Sequence, residues 1–111
     1  MRAAVALATL LLAGCGAGGP RFTSATPQQA RRLMIRMLDR KELSYHWVAC
    51  LRNGRTFRGA GIVRCNVNFG DPHIEAYCLV LRDGKLYSNH DDPAVPCRRD
   101  DAAPPATIVS S

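Results

Sequence analysis

The chain has 111 residues, of which 47% are hydrophobic and 22% are charged, and its formal net charge is +6. This length suits one small domain, and such a domain needs extra bracing because small chains bury a low fraction of their surface. No apolar stretch reaches the roughly 20 residues that a membrane-spanning helix needs, so a bilayer-spanning segment is excluded.

The first 15 residues have the pattern of an export signal. Arg2 precedes an apolar stretch over residues 3–13, and Leu12-Ala13-Gly14-Cys15 closes it. This tetrapeptide resembles the lipobox of bacterial lipoproteins, in which the cysteine is acylated and the signal is cut just before it. The resemblance implies a signal peptide over 1–14 and membrane lipid attached through acylated Cys15. The mature chain is then anchored to the bacterial cell membrane on its extracytoplasmic side, since two or three acyl chains anchor stably.

Residues 15–25 are predicted to form the lipidated cysteine and a short flexible tether that is rich in glycine. Gly16 stands where many bacteria with two membranes place an aspartate that retains lipoproteins in the inner membrane. An outer-membrane location is therefore open if the host has two membranes.

A helix is predicted over residues 27–41. Thr26 can act as the N-cap, Pro27 suits the first helical position, and Gln29 completes a Thr-x-x-Gln capping box. Apolar residues then recur at helical spacing and predict one core-facing stripe, formed by Ala30, Leu33, Met34, Met37 and Leu38.

The residues after the helix predict antiparallel strands. Asn53-Gly54 and Asp83-Gly84 are strong hairpin signals, and Phe69-Gly70-Asp71-Pro72 is a turn. They separate strands over 44–52, 55–68, 73–82 and 85–90. The predicted fold class is α+β, with one N-terminal helix packed on a four-stranded antiparallel meander. The domain covers 26–97, and 98–111 is predicted to be a mobile tail.

Side chains alternate across a strand, so these turns predict two faces of the sheet. The helix covers a face that holds Val48, Cys50, Phe57, Val63, Cys65, Val67, Phe69, Ile74, Ala76, Cys78, Val80 and Tyr87. The opposite face is also apolar, and it predicts a binding surface or dimer surface that includes Trp47, Tyr45, Tyr77 and Arg64. Two alternatives stay open: the segment 91–111 covers this face, or the register slips by one residue.

Four cysteines remain once Cys15 is assigned to the lipid, and an even number in an exported chain predicts disulfides. The predicted register favours Cys65–Cys78 with Cys50–Cys97. Gly59-Ala60-Gly61 interrupts the long second strand, and a bend there would instead bring Cys50 toward Cys65.

Catalytic and metal-binding patterns are weak in this sequence. There is no Cys-x-x-Cys, Gly-x-Ser-x-Gly or His-Glu-x-x-His motif, so we expect no enzyme, no cofactor and no metal. The alternative is a small metal-binding or redox lipoprotein that uses free cysteines with His46, His73 and His90.

Charge divides the chain into two halves. Residues 16–64 carry ten basic and two acidic side chains, whereas residues 65–111 carry four basic and seven acidic. The predicted helix contributes a basic face for anionic headgroups or acidic wall polymers, and its residues are Arg31, Arg32, Arg36, Arg40 and Lys41. Outside the cell, nucleic acid is not an expected partner.

The helix-plus-meander layout with paired cysteines resembles small domains of unknown function on actinobacterial lipoproteins, and it is similar to cystatin-like folds. The leading hypothesis is a non-catalytic envelope module that binds a protein or an anionic polymer. Either the aromatic face around Trp47 or the basic helix would carry this binding.

Overall fold

A computed structural model describes residues 19–105; the predicted signal peptide, Cys15 and residues 106–111 lie outside this range. One helix, α1, spans Pro27–Arg40 and packs on an antiparallel sheet. The strands are β1 (Phe22–Thr23), β2 (Trp47–Phe57), β3 (Ala60–Asn68), β4 (Ile74–Arg82) and β5 (Lys85–Ser88). Strands β2 to β5 pair in chain order, and β1 also pairs with β4. The predicted α+β class with a helix on a meander is confirmed.

Helix α1 begins at the predicted position. The Thr26 backbone is extended, and its hydroxyl oxygen accepts a hydrogen bond from the Gln29 N–H at 3.0 Å. This bond satisfies one of the amide groups that lack a partner within the helix. The apolar stripe faces the sheet as expected, with Ala30, Met34 and Leu38 fully buried.

The β2–β3 hairpin turns at Arg58-Gly59, so the predicted turn at Asn53-Gly54 is wrong. Phe57 pairs with Ala60, and Arg58 and Gly59 have φ angles of 51° and 82°, the left-handed pair that a tight two-residue hairpin requires. Asn53-Gly54 instead lies within β2, where the register shifts between Arg52 and Thr56. The Asn53 side chain accepts a hydrogen bond from the Arg55 N–H there, so local turn chemistry produces a bulge.

The loop between β3 and β4 is one residue longer than predicted. Asn68 pairs with Ile74, and consequently Cys65 pairs with Tyr77, not with Ala76. A slip of one residue moves every side chain of a strand to the other face. Tyr77 and the alternating residues after it therefore face the helix, contrary to the predicted assignment of β4.

The sheet has an apolar core on each face. The helix-side core contains the buried side chains Ala25, Ala30, Met34, Leu38, Val48, Val63, Cys65, Val67, Leu79 and Leu81. On the outer face, Phe22, Phe57 and Tyr87 pack around a second core formed by Ala60, Ile62, Cys78, Val80 and Val95. Burial of apolar surface on both faces stabilises the sheet.

The outer face is covered by the chain's own C-terminal segment, which was one of the two alternatives. Val95 is 1% exposed within the outer core. Further along, Asn66 donates from Nδ2 to the Pro104 carbonyl, and Asp101 accepts hydrogen bonds from Arg55 and from the Arg98 N–H. The part of the predicted tail that the structure describes, residues 98–105, thus lies against the sheet.

The predicted tether also begins to pack earlier than expected. Phe22 and Thr23 pair with Arg82 and Leu81, and Ala25 is fully buried. Six residues, 16–21, separate Cys15 from Phe22, and the seven residue steps reach at most about 25 Å. The anchor proposed from the sequence would therefore hold the domain close to a bilayer.

Two disulfides brace the sheet, but their pairing differs from the one that the predicted register favoured. Cys50 bonds to Cys65 and Cys78 bonds to Cys97. The turn at Arg58-Gly59 and the register shift in β2 together place Cys50 directly opposite Cys65. Cys78 lies on the outer face of β4, where the C-terminal segment brings Cys97 to it. The predicted pairing of Cys65 with Cys78 is wrong because these two side chains lie on opposite faces of the sheet.

Candidate functional site

The predicted aromatic binding face does not form one surface. Tyr45 and Tyr77 pack against the helix-side core. Arg64 lies on the outer face, where its guanidinium donates to the Arg98 carbonyl at 3.0 Å. Trp47, half-buried at the start of β2, alternates with Val48 and so also faces away from the helix. The one-residue slip in β4 moved Tyr77 to the helix side, and Tyr45 lies before β2 begins, so strand alternation does not hold it beside Trp47.

The basic residues of the helix fall into two groups. Arg32, Arg36 and Arg40 recur every four residues, so they align along one exposed side of α1. Lys41 follows them at the C-cap. Arg31 differs from these, because its Nε donates to the Val48 carbonyl at 2.9 Å and ties α1 to β2.

The aligned cations have no acidic partner in the part of the chain that the structure describes. There, the ion pairs are Arg55 with Asp101 and two contacts of Glu75 with histidines. The basic surface, which we define as Arg32, Arg36, Arg40 and Lys41, is therefore not neutralised by ion pairs with residues 19–105. Such a surface attracts anionic groups in solution.

A groove lies beside this basic surface, between α1 and the β4–β5 hairpin. Its volume is about 580 Å³. The apolar part of the lining consists of Leu33, Met34, Met37, Tyr77, Leu79 and Leu86. The groove arises because α1 packs over β2 and β3 and leaves the side chains of β4 and β5 next to it partly uncovered.

The charged part of the lining is mainly basic. Arg40 and Lys41 from the helix and Lys85 from β5 lie around the groove. Asp91 is the acidic residue in this lining, and its carboxylate accepts a hydrogen bond from the Ser88 N–H at 2.9 Å. The groove thus combines apolar walls with the cations of Arg40 and Lys41 and the carboxylate of Asp91.

Sequence reasoning missed the groove. Lys85 was not selected, and Leu86 was assigned to the face opposite the helix. The Asp83-Gly84 hairpin is nevertheless where it was predicted, with Arg82 paired to Lys85. The correct β3–β4 register would have been the signal, because it places Tyr77 and Leu79 under the helix.

Two histidines converge on Glu75 at one end of the groove. His73 and His90 approach its carboxylate oxygens with their Nε2 atoms at 3.2 and 3.9 Å. His90 also stacks on the Tyr77 ring, with 4.0 Å between ring centroids. Burial, and then the charge of Glu75, raise the pKa of the Tyr77 hydroxyl. Within residues 19–105 there is no cluster of three or more His, Cys, Asp or Glu side chains suited to hold a metal ion.

Across residues 19–105, no helix has both the length and the apolar character to cross a bilayer. Comparison with family models, with curated proteins and with solved structures finds no match for the chain. The basic surface and the groove are therefore the features of the molecule from which a function can be inferred.

Proposed function

We propose that the chain is a lipid-anchored extracytoplasmic module of the bacterial envelope that binds an anionic polymer or an anionic membrane surface. The observation that carries the proposal is the basic surface of α1. Its cations are exposed, aligned and without ion pairs to residues 19–105.

The sequence supplies the location of this proposal. The lipobox-like Leu12-Ala13-Gly14-Cys15 precedes the domain by few residues, so an acylated Cys15 would keep α1 within reach of anionic headgroups or wall polymers. Each basic residue near an anionic surface contributes about 1 kcal/mol of binding free energy. Three such residues on one side of α1 and a fourth at its C-cap would give binding that weakens with salt.

The metal or redox alternative receives less support. All four cysteines of the domain are paired in disulfides, so the free thiols on which that alternative depended are absent from residues 19–105. The aromatic face also receives less support as a binding surface, because its residues are divided between the two sides of the sheet.

Vesicle co-sedimentation tests the proposal with the protein from Gly16 to Ser111, exported to an oxidising compartment. Both disulfides and both cores lie within residues 19–105, so this form retains every contact described above. We expect binding to vesicles that contain phosphatidylglycerol and little binding to phosphatidylcholine alone. Arg32→Glu/Arg36→Glu should reduce the affinity by about 30-fold, the equivalent of about 2 kcal/mol.

The matched control is Arg82→Glu/Arg99→Glu, which changes the net charge equally at two exposed positions outside α1. This control should retain most of the vesicle binding. Equal losses in the two double variants would show that net charge and not the basic surface is responsible. Binding that does not respond to salt would contradict the proposal directly.

A further inference from the structure

The groove beside the basic surface differs from a plain solvated cleft in its distribution of polar and apolar groups. Met34 and Leu79 are almost completely buried, and Leu33, Met37 and Leu86 are half-buried above them. Methionine side chains adapt to ligands of irregular or variable shape. The walls therefore suit a flexible aliphatic ligand.

The cations define where the charged end of such a ligand would lie. Arg40 and Lys41 come from the helix, and neither is in an ion pair with another residue of the range 19–105. Lys85 borders the groove on the opposite side, but it alternates with Leu86 along β5, so its side chain points toward the outer face of the sheet. The two helix cations outnumber the carboxylate of Asp91 in the lining, so this end of the groove is complementary to an anionic headgroup.

The volume of the groove suits a small ligand. A volume of about 580 Å³ lies within the range of about 300–1,000 Å³ that is common for pockets of small ligands. One acyl chain is compatible with this space, which is bordered by the half-buried side chains of Leu33, Met37 and Leu86.

From these three features we propose that the groove binds a long-chain fatty acid, with its alkyl chain along Leu33, Met37 and Leu86 and its carboxylate at Arg40 and Lys41. This inference rests on the proposed function, because Arg40 and Lys41 also belong to the basic surface. It adds a specific ligand to a module that would otherwise bind anionic surfaces through charge alone.

The test uses displacement of the fluorescent fatty acid 11-(dansylamino)undecanoic acid from the protein spanning Gly16 to Ser111. We expect saturable binding of the probe with a blue-shifted emission. Oleate should displace it, and oleyl alcohol, which has the same chain without the charge, should require about a tenfold higher concentration because it lacks the charge-assisted contact. Folded protein that does not bind the probe, or equal displacement by the two lipids, would overturn the proposal.

Two variants separate this site from the basic surface. Leu86→Trp partly fills the groove from outside α1, and it should weaken oleate binding about tenfold while vesicle binding persists. Arg32→Glu/Arg36→Glu should weaken vesicle binding and leave oleate binding intact. The near-ultraviolet circular dichroism of each variant reports its fold.

The other occupant of a groove of this kind is an acidic amphipathic peptide. Displacement of the probe by such a peptide, together with no displacement by oleate, would overturn the fatty-acid assignment. If Leu86→Trp leaves oleate binding unchanged, the ligand does not lie along this groove and the proposal fails. Absence of vesicle binding by the unsubstituted protein, with intact oleate binding, would instead count against the proposed function alone.

Discussion

The carboxylate of Asp101 meets the guanidinium of Arg55, so a residue of the C-terminal segment is held by an ion pair to the bulged part of β2. The Asp101 side chain is 1% exposed, and it also accepts a hydrogen bond from the Arg98 N–H. Desolvation acts to raise the pKa of Asp101, but these hydrogen bonds and the two arginine charges outweigh it, so this pKa lies below its usual value.

A lowered pKa in the folded state makes Asp101 stabilising above the unfolded pKa of about 3.9, and this stabilisation is lost as the pH falls through the folded value. Asp101→Asn should therefore lower the melting temperature at pH 7, and its difference from the wild type should shrink in acid below about pH 4. Thermal melts at several pH values measure this. The exposed neighbour Asp100→Asn serves as the control, and a difference for Asp101→Asn that is constant with pH would contradict the expectation.

Peptide mapping without reduction should find Cys50 linked to Cys65 and Cys78 linked to Cys97. Trypsin leaves Cys65 and Cys78 in one peptide, residues 65–82, so this peptide should join those that contain Cys50 and Cys97. A second cleavage on the N-terminal side of Asp71 then separates Cys65 from Cys78, so that each disulfide can be assigned by itself. A product in which Cys50 joins Cys97 directly would contradict the structure.

Loss of either disulfide should lower the free energy of unfolding by about 3 kcal/mol, because each bond restricts a loop of similar length in the unfolded chain. The loops have sequence separations of 15 and 19 residues. Cys50→Ser/Cys65→Ser and Cys78→Ser/Cys97→Ser can be compared by urea denaturation. A loss confined to one pair would show that native-state contacts, and not loop closure, dominate.

The elements that the sequence predicted well have their signals within a few residues. The Thr26 cap, the stripe from Ala30 to Leu38 and the Asp83-Gly84 turn each depend on local backbone preference and spacing. They formed as expected because no distant contact competes with them.

The features that were missed depend on distant parts of the chain. Asn53-Gly54 and Arg58-Gly59 are both compatible with the left-handed backbone of a tight turn. The position of the turn involves a distant contact of Asn53, because this residue is buried and its Nδ2 atom lies 3.4 Å from a carboxylate oxygen of Asp101. The length of the β3–β4 loop determines which side chains of β4 face the helix, and one extra residue in the loop reverses this assignment. The basic surface was found because it belongs to one helix, whereas the groove needs the position of α1 relative to β5.

Val95 tests whether the C-terminal segment is an integral part of the fold. It is 1% exposed and belongs to the outer core, so Val95→Ala should lower the free energy of unfolding by about 2 kcal/mol through lost burial and an unfilled cavity. Urea denaturation measures the change. Leu51→Ala is the control, since Leu51 is 43% exposed and its truncation should cost less than about 0.5 kcal/mol. Equal effects would mean that the segment does not stabilise the sheet.

Acylation of Cys15 is the prediction on which the proposed location depends. In a bacterial host supplied with labelled palmitate, the wild-type chain should carry the label and sediment with membranes, because several acyl chains anchor stably. Cys15→Ala removes the thiol that would be acylated and should abolish the label. The control Cys50→Ala/Cys65→Ala lowers the stability of the domain but leaves the lipobox-like sequence intact. The labelled chains of this variant that accumulate should therefore still sediment with the membranes. A label that persists in Cys15→Ala would place the lipid elsewhere and contradict the anchoring at this residue.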